Sequence, residues 1–189
     1  AFILSVADLL RGDYKQSDYG KVILPFTVLR RLDYVLEPTK AAVLEEKALR
    51  EEQGLDPEPF LLRKAGHNFC NTSPLDMKRL MGDGDNIAEN LRSYIQAFTP
   101  AVRDIFESFK FHLQVDRLEK ANLLYLITEK FATIDLHPEV FSNHDMADLF
   151  ERLISMDAES ANLEAGEYFT PRDVIRLMID ILITPDSDI

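Results

Sequence analysis

The chain has 189 residues and a formal net charge of −12, with 46% apolar and 29% charged residues, which is enough apolar material for a real core and an ordinary charge content for a folded domain. Charges interrupt every apolar stretch before it reaches membrane-spanning length, and the apolar start Ala1–Leu10 has no basic leader and meets Asp8 and Arg11 too soon for a signal peptide. The single cysteine, Cys70, excludes an internal disulfide and points to a reducing compartment.

Helical periodicity runs through the chain. The segment up to Leu10 reads as an amphipathic first helix. Tyr19, Val22, Ile23, Phe26, Leu29 and Leu32 recur at three- and four-residue steps and form one stripe. Ser17 and Asp18 stand where an N-cap belongs, and Pro25 is expected to kink the helix. Pro38 ends this helix or opens the next. Ala41–Glu52 is rich in strong helix formers and predicts an exposed, acidic helix. Gly54–Phe60 is a loop by composition, and His67–Ser73 is irregular or a short strand.

Ser73-Pro74 reads as a cap and first helical residue leading into Leu75–Met81. Asp85 is expected to cap a helix carrying Ile87, Leu91, Tyr94, Ile95 and Phe98, and Thr99-Pro100 repeats the cap-plus-proline pattern before Val102, Ile105 and Phe106. Leu118–Phe131 predicts one strongly apolar helix at the centre of the core. Ser142 or Asn143 caps a helix through Met146, Leu149, Phe150, Leu153 and Ile154. A polar stretch, Asp157–Gly166, separates this from a last amphipathic helix that starts near Pro171. The expected fold class is therefore all-α. A multi-helix bundle fills residues 1–155, and residues 156–189 form a linker and a terminal helix.

Most catalytic patterns are absent. Gly82-Asp-Gly84 follows a helix rather than a strand and lacks a third glycine, so it is a helix end and turn rather than a phosphate loop. Asp83, Asp85 and Asn86 lack the glycine and closing acid of a calcium loop. His67, His112, His137 and His144 are scattered without metal-ligand spacing. In Asp56-Pro-Glu-Pro-Phe60, Glu58 splits the prolines that a base-gripping methylase motif needs side by side. The acidic balance argues against a dedicated nucleic-acid binder. Even so, Arg30 and Arg31, together with Arg63, Lys64, Lys78 and Arg79, make local basic clusters that could lie on DNA phosphates. A mixed solvated surface explains these clusters equally well.

Near the C-terminus, Gly166 permits a tight backbone, Thr170 is a natural N-cap and Pro171 the first helical residue. The helix start can hold an anion such as a carboxylate, with Tyr168 and Phe169 beside it. The segment Ala165-Gly-Glu-Tyr-Phe-Thr-Pro-Arg-Asp-Val174 closely resembles a signature of the modification (M) subunits of type I restriction–modification enzymes. The resemblance extends over nearly the whole chain. It is carried by Ala7–Gly12, Val22–Phe26 with Leu29-Arg-Arg-Leu32, Phe69-x-Asn-Thr-Ser73, Asp85-Asn-Ile-Ala-x-Asn-Leu91, Lys120–Tyr125 and Ile134-Asp-Leu-His-Pro138, in that order.

The resemblance implies a cytoplasmic, prokaryotic DNA adenine-N6 methyltransferase that uses S-adenosylmethionine. In that family a helical N-terminal domain precedes a Rossmann-like α/β catalytic domain. Tyr168, Thr170 and Pro171, with Phe169 and Glu167, would then belong to the cofactor pocket. Partners would be a specificity (S) subunit, a second M subunit, a restriction (R) subunit and double-stranded DNA, with no membrane. Neither the family's glycine loop nor its Asn-Pro-Pro-aromatic motif occurs between Ala1 and Ile189. The chain is thus expected to hold only the first element of the catalytic domain, to serve in DNA clamping and subunit contacts, and to be inactive alone. The alternative reading is a self-contained helical module that binds DNA or protein without a catalytic neighbour.

Overall fold

The structure is a computed structural model that describes residues 2–160. Ten α-helices follow one another, and no strand is present among the described residues. They are α1 (Phe2–Leu10), α2 (Tyr19–Leu36), α3 (Lys40–Glu52), α4 (Glu58–Ala65), α5 (Met77–Leu80), α6 (Ile87–Gln96), α7 (Pro100–Ser108), α8 (Phe111–Lys120), α9 (Leu124–Thr133) and α10 (Asn143–Ser160).

Helix α2 is the axle of the bundle. It packs against α1, α8, α9 and α10, and residues 22–33 are buried without interruption. Phe26 stacks on Phe131 of α9 with ring centroids 5.1 Å apart and meets Phe111 of α8 edge-on at 5.0 Å. Aromatic pairs of this kind add to plain area burial. The helix continues through Pro25, and Thr27 returns its hydroxyl to the Ile23 carbonyl at 2.7 Å.

The structure departs from the sequence-based expectations at identifiable points. The stretch Leu118–Phe131 is two helices rather than one. Asn122, at φ 56°, takes the left-handed conformation that asparagine tolerates, so α8 ends and α9 restarts in a new direction. The central position expected for that helix belongs to α2, while Tyr125 and Leu126 of α9 face outward. The compositional loop 54–60 is only half loop, because Pro59 sits in the first turn of α4, where a missing N–H is harmless. Helix α5 begins later than Ser73-Pro74 suggests. Its cap is Asp76, whose carboxylate accepts the Arg79 N–H at 2.7 Å, and Ser73 instead closes a turn onto the Leu75 N–H. Asp85 lies within a short 3-10 turn before α6 rather than capping it.

Other expectations hold. Residues Phe69–Ser73 are irregular and pinned to the end of α6, with Thr72 N–H donating to the Ala97 carbonyl at 2.9 Å and Asn71 donating to that of Tyr94 at 2.9 Å. Ser142 caps α10 in a reciprocal box, because it donates to the Asp145 carboxylate at 2.6 Å and receives the Asp145 N–H at 3.2 Å. Met146, Phe150 and Leu153 bury one face of α10 against the bundle. Helix α10 runs on past residue 155, where the sequence places the start of the linker. The terminal helix expected after Pro171 lies outside the described residues.

Candidate nucleic-acid interface

Six basic residues are candidates for DNA contact, and the structure divides them. Arg30 and Arg31 are internal, at 2% and 1% exposure, so they cannot reach a phosphate. This corrects their assignment as DNA contacts. Arg30 donates to the Asp33 carboxylate at 3.0 Å, to the Tyr34 hydroxyl at 2.7 Å and to the Ile134 carbonyl at 3.1 Å, with its guanidinium 3.9 Å above the Tyr34 ring. Arg31 donates to the carbonyls of Leu136 at 2.6 Å and Phe141 at 2.7 Å and to the side-chain oxygen of Asn143 at 2.7 Å. Burial pulls the Arg31 guanidinium below its ordinary pKa, and short bonds of this charge-assisted type are what compensate it. Helix α2 is too apolar on every side to have a solvent face, and that pattern was the available signal against Arg30 and Arg31 as surface cations.

Asp33, one turn further on, gathers three donors. It accepts from Arg30, from the Tyr94 hydroxyl at 2.6 Å and from the Met77 N–H at 3.3 Å. Burial pushes its carboxyl up, against the opposing pull of Tyr94 and Arg30. The same burial, with the adjacent Asp33 charge, holds the Tyr94 phenol well above its ordinary value. This group joins α2, α5 and α6. Sequence reasoning did not find it, because a lone Asp in an apolar helix carries no spacing motif.

Arg63, Lys64, Lys78 and Arg79 are exposed. Lys64 leans on Glu46 of α3 at 3.6 Å, and Arg79 on its own cap Asp76 at 3.3 Å. Lys78 and Arg79 border a cleft of about 280 Å³ between the end of α2, the start of α3 and α5. Lys40 enters from the α3 side, with its ammonium donating to the Leu75 carbonyl and standing 5.0 Å from the Tyr94 ring centroid. Burial holds that ammonium below its ordinary pKa. Asp33, Glu37 and Asp76 share the cleft. It therefore gathers cations among acids, without a large positive excess. Lys40 was not among the sequence candidates.

Glu167, Tyr168, Phe169, Thr170 and Pro171, the cofactor candidates, lie outside the described residues. Among the described residues no group of His, Cys, Asp or Glu could hold a metal ion, and no helix is long and apolar enough to cross a membrane.

The chain belongs to the HsdM N-terminal domain family, whose model matches residues 1–131. The N-6 DNA Methylase family matches the following part, residues 141–189. No curated protein and no solved structure matches the chain.

Proposed function

We propose that the chain is the N-terminal part of the modification subunit of a type I restriction–modification system, an adenine-N6 DNA methyltransferase that uses S-adenosylmethionine in the cytoplasm of a prokaryote. The observation that carries this reading is the order of the two family matches, an HsdM N-terminal domain and then, after residues 132–140, the start of an N-6 DNA methylase. In this reading the bundle lies on the DNA backbone through Lys78 and Arg79, with Arg63 and Lys64 as further contacts. Its other faces meet a specificity subunit, a second modification subunit and a restriction subunit. S-adenosylmethionine is held through Tyr168, Thr170 and Pro171, with Phe169 and Glu167 beside them, once the rest of the catalytic domain is supplied. The chain has no glycine loop and no Asn-Pro-Pro-aromatic motif, so it does no chemistry alone.

The test is binding of a fluorescent non-specific duplex, followed by anisotropy as salt is raised. The 189-residue chain should bind weakly and lose affinity with salt. Lys78→Glu with Arg79→Glu should weaken binding on every sequence alike and flatten the salt slope by about one for each phosphate no longer neutralised. Absence of binding at low salt assigns the surface to subunit contacts instead. Calorimetry should show negligible S-adenosylmethionine binding, and micromolar binding would overturn the inactive-alone part of the reading.

A further inference from the structure

The two family matches leave residues 132–140 between them, and Arg31 of α2 reaches across that gap. Its guanidinium bonds outside α2, whose main-chain carbonyls serve the helix itself. Its three bonds go to Leu136, Phe141 and Asn143, on both sides of the point where the second match begins. Arg30 adds a bond to Ile134, and the Tyr34 ring meets His137 edge-on with centroids 5.6 Å apart. The dependence is mutual. Leu136 and Phe141 lie in irregular backbone, so their carbonyls gain from Arg31 what a helix would otherwise supply. A buried guanidinium, in turn, is tolerable only while those acceptors stay in place. Asn143 opens α10, so its contact fixes the helix start, and Met146, Phe150 and Leu153 then fix its course along the bundle.

We propose that Arg31, assisted by Arg30, is a positioning residue that locks the junction 134–143 and the start of α10 in one orientation on the bundle. The described start of the segment that matches the N-6 DNA Methylase family, α10, thereby takes a set course along the bundle. What lies on each side of the junction rests on the function proposed above. The lock itself rests only on these contacts, so its test is independent of DNA or cofactor binding.

The test is hydrogen exchange on the full 189-residue chain, comparing Arg31→Lys, Arg31→Ala, Asn143→Ala and Asn143→Asp. A lysine keeps the charge but not the fork that reaches three acceptors. Arg31→Lys should therefore lower protection of amides 139–150 by about 10- to 100-fold while α6 and α7 keep theirs, in keeping with the loss of charge-assisted bonds. Spin labels at Glu107→Cys and Asp148→Cys should report a broadened distance distribution in the same variant. Asn143→Ala should give a smaller loss in the same amides, and it carries the test if Arg31→Ala does not fold. Asn143→Asp, which places a carboxylate against the buried cation, should raise protection there. Unchanged protection at 139–150 in Arg31→Lys and Asn143→Ala overturns the proposal. So does an equal loss across the whole bundle, which would make Arg31 an ordinary core residue.

Discussion

Replacing Asp33 with alanine should be among the most damaging single changes in the bundle. It removes the acceptor of the Arg30 guanidinium, the Tyr94 hydroxyl and the Met77 N–H together. Each of those donors is buried, so water cannot take over without opening the structure. Breaking a buried ion pair by deleting one partner costs about 3–5 kcal/mol, because the other charge is left uncompensated. For a chain of this size each kcal/mol moves Tm by about 2–4 °C, so the midpoint should fall by roughly 6–20 °C. Urea denaturation followed by circular dichroism, with the slope unchanged, measures the same loss directly. Tyr94→Phe removes one donor and should lose only about 1–2 kcal/mol. The double variant should then be less unstable than the sum of the two singles, since the Tyr94 bond to Asp33 is removed only once. A loss below about 1 kcal/mol in Asp33→Ala would refute the claim that this carboxylate is the hub joining α2, α5 and α6.

Two further outcomes follow from buried groups. The Tyr14 hydroxyl is buried without a hydrogen-bond partner, and burial first of all pushes its phenol up to about 12. Tyr14→Phe should thus be neutral or stabilising by about 1 kcal/mol at neutral pH. The folded state holds the Tyr14 proton more tightly than the unfolded one, so the parent protein should lose stability as pH rises from 10.0 towards about 12. The variant should lack that contribution, and a steeper decline in Tyr14→Phe would contradict it. Burial likewise pushes the Cys70 thiol to about 11, leaving on the order of one thiolate per thousand molecules at about pH 8. Aromatic disulfide reagents should label Cys70 only as fast as the protein opens, and labelling at the rate of a free thiol would show the site to be accessible.

The amphipathic helices were legible because burial imposes the 3.6-residue period, and Ile87–Phe98 and Val102–Phe106 lie where their stripes place them. The breaks were less legible. Asn122 interrupts a run of mostly apolar residues by a backbone conformation that composition does not announce. Pro57 and Pro59 read as loop residues although one of them opens a helix. The charges of Arg30 and Arg31 point to a surface, but their neighbours Val28, Leu29 and Leu32 belong to a stretch of α2 that is buried throughout. Asp33, Tyr94 and Lys40 converge from segments far apart in sequence, which no local pattern records.

Arg30 and Arg31 are turned inward, and so are Asp33 and Glu46, so the formal −12 is carried by the other residues of the chain. A polyanion meeting such a surface would be repelled by its acids and drawn only where exposed cations cluster, as at Lys78 and Arg79. Repulsion then does the aiming. Approaches from the acidic sides would be rejected before contact, and the particle would arrive already turned.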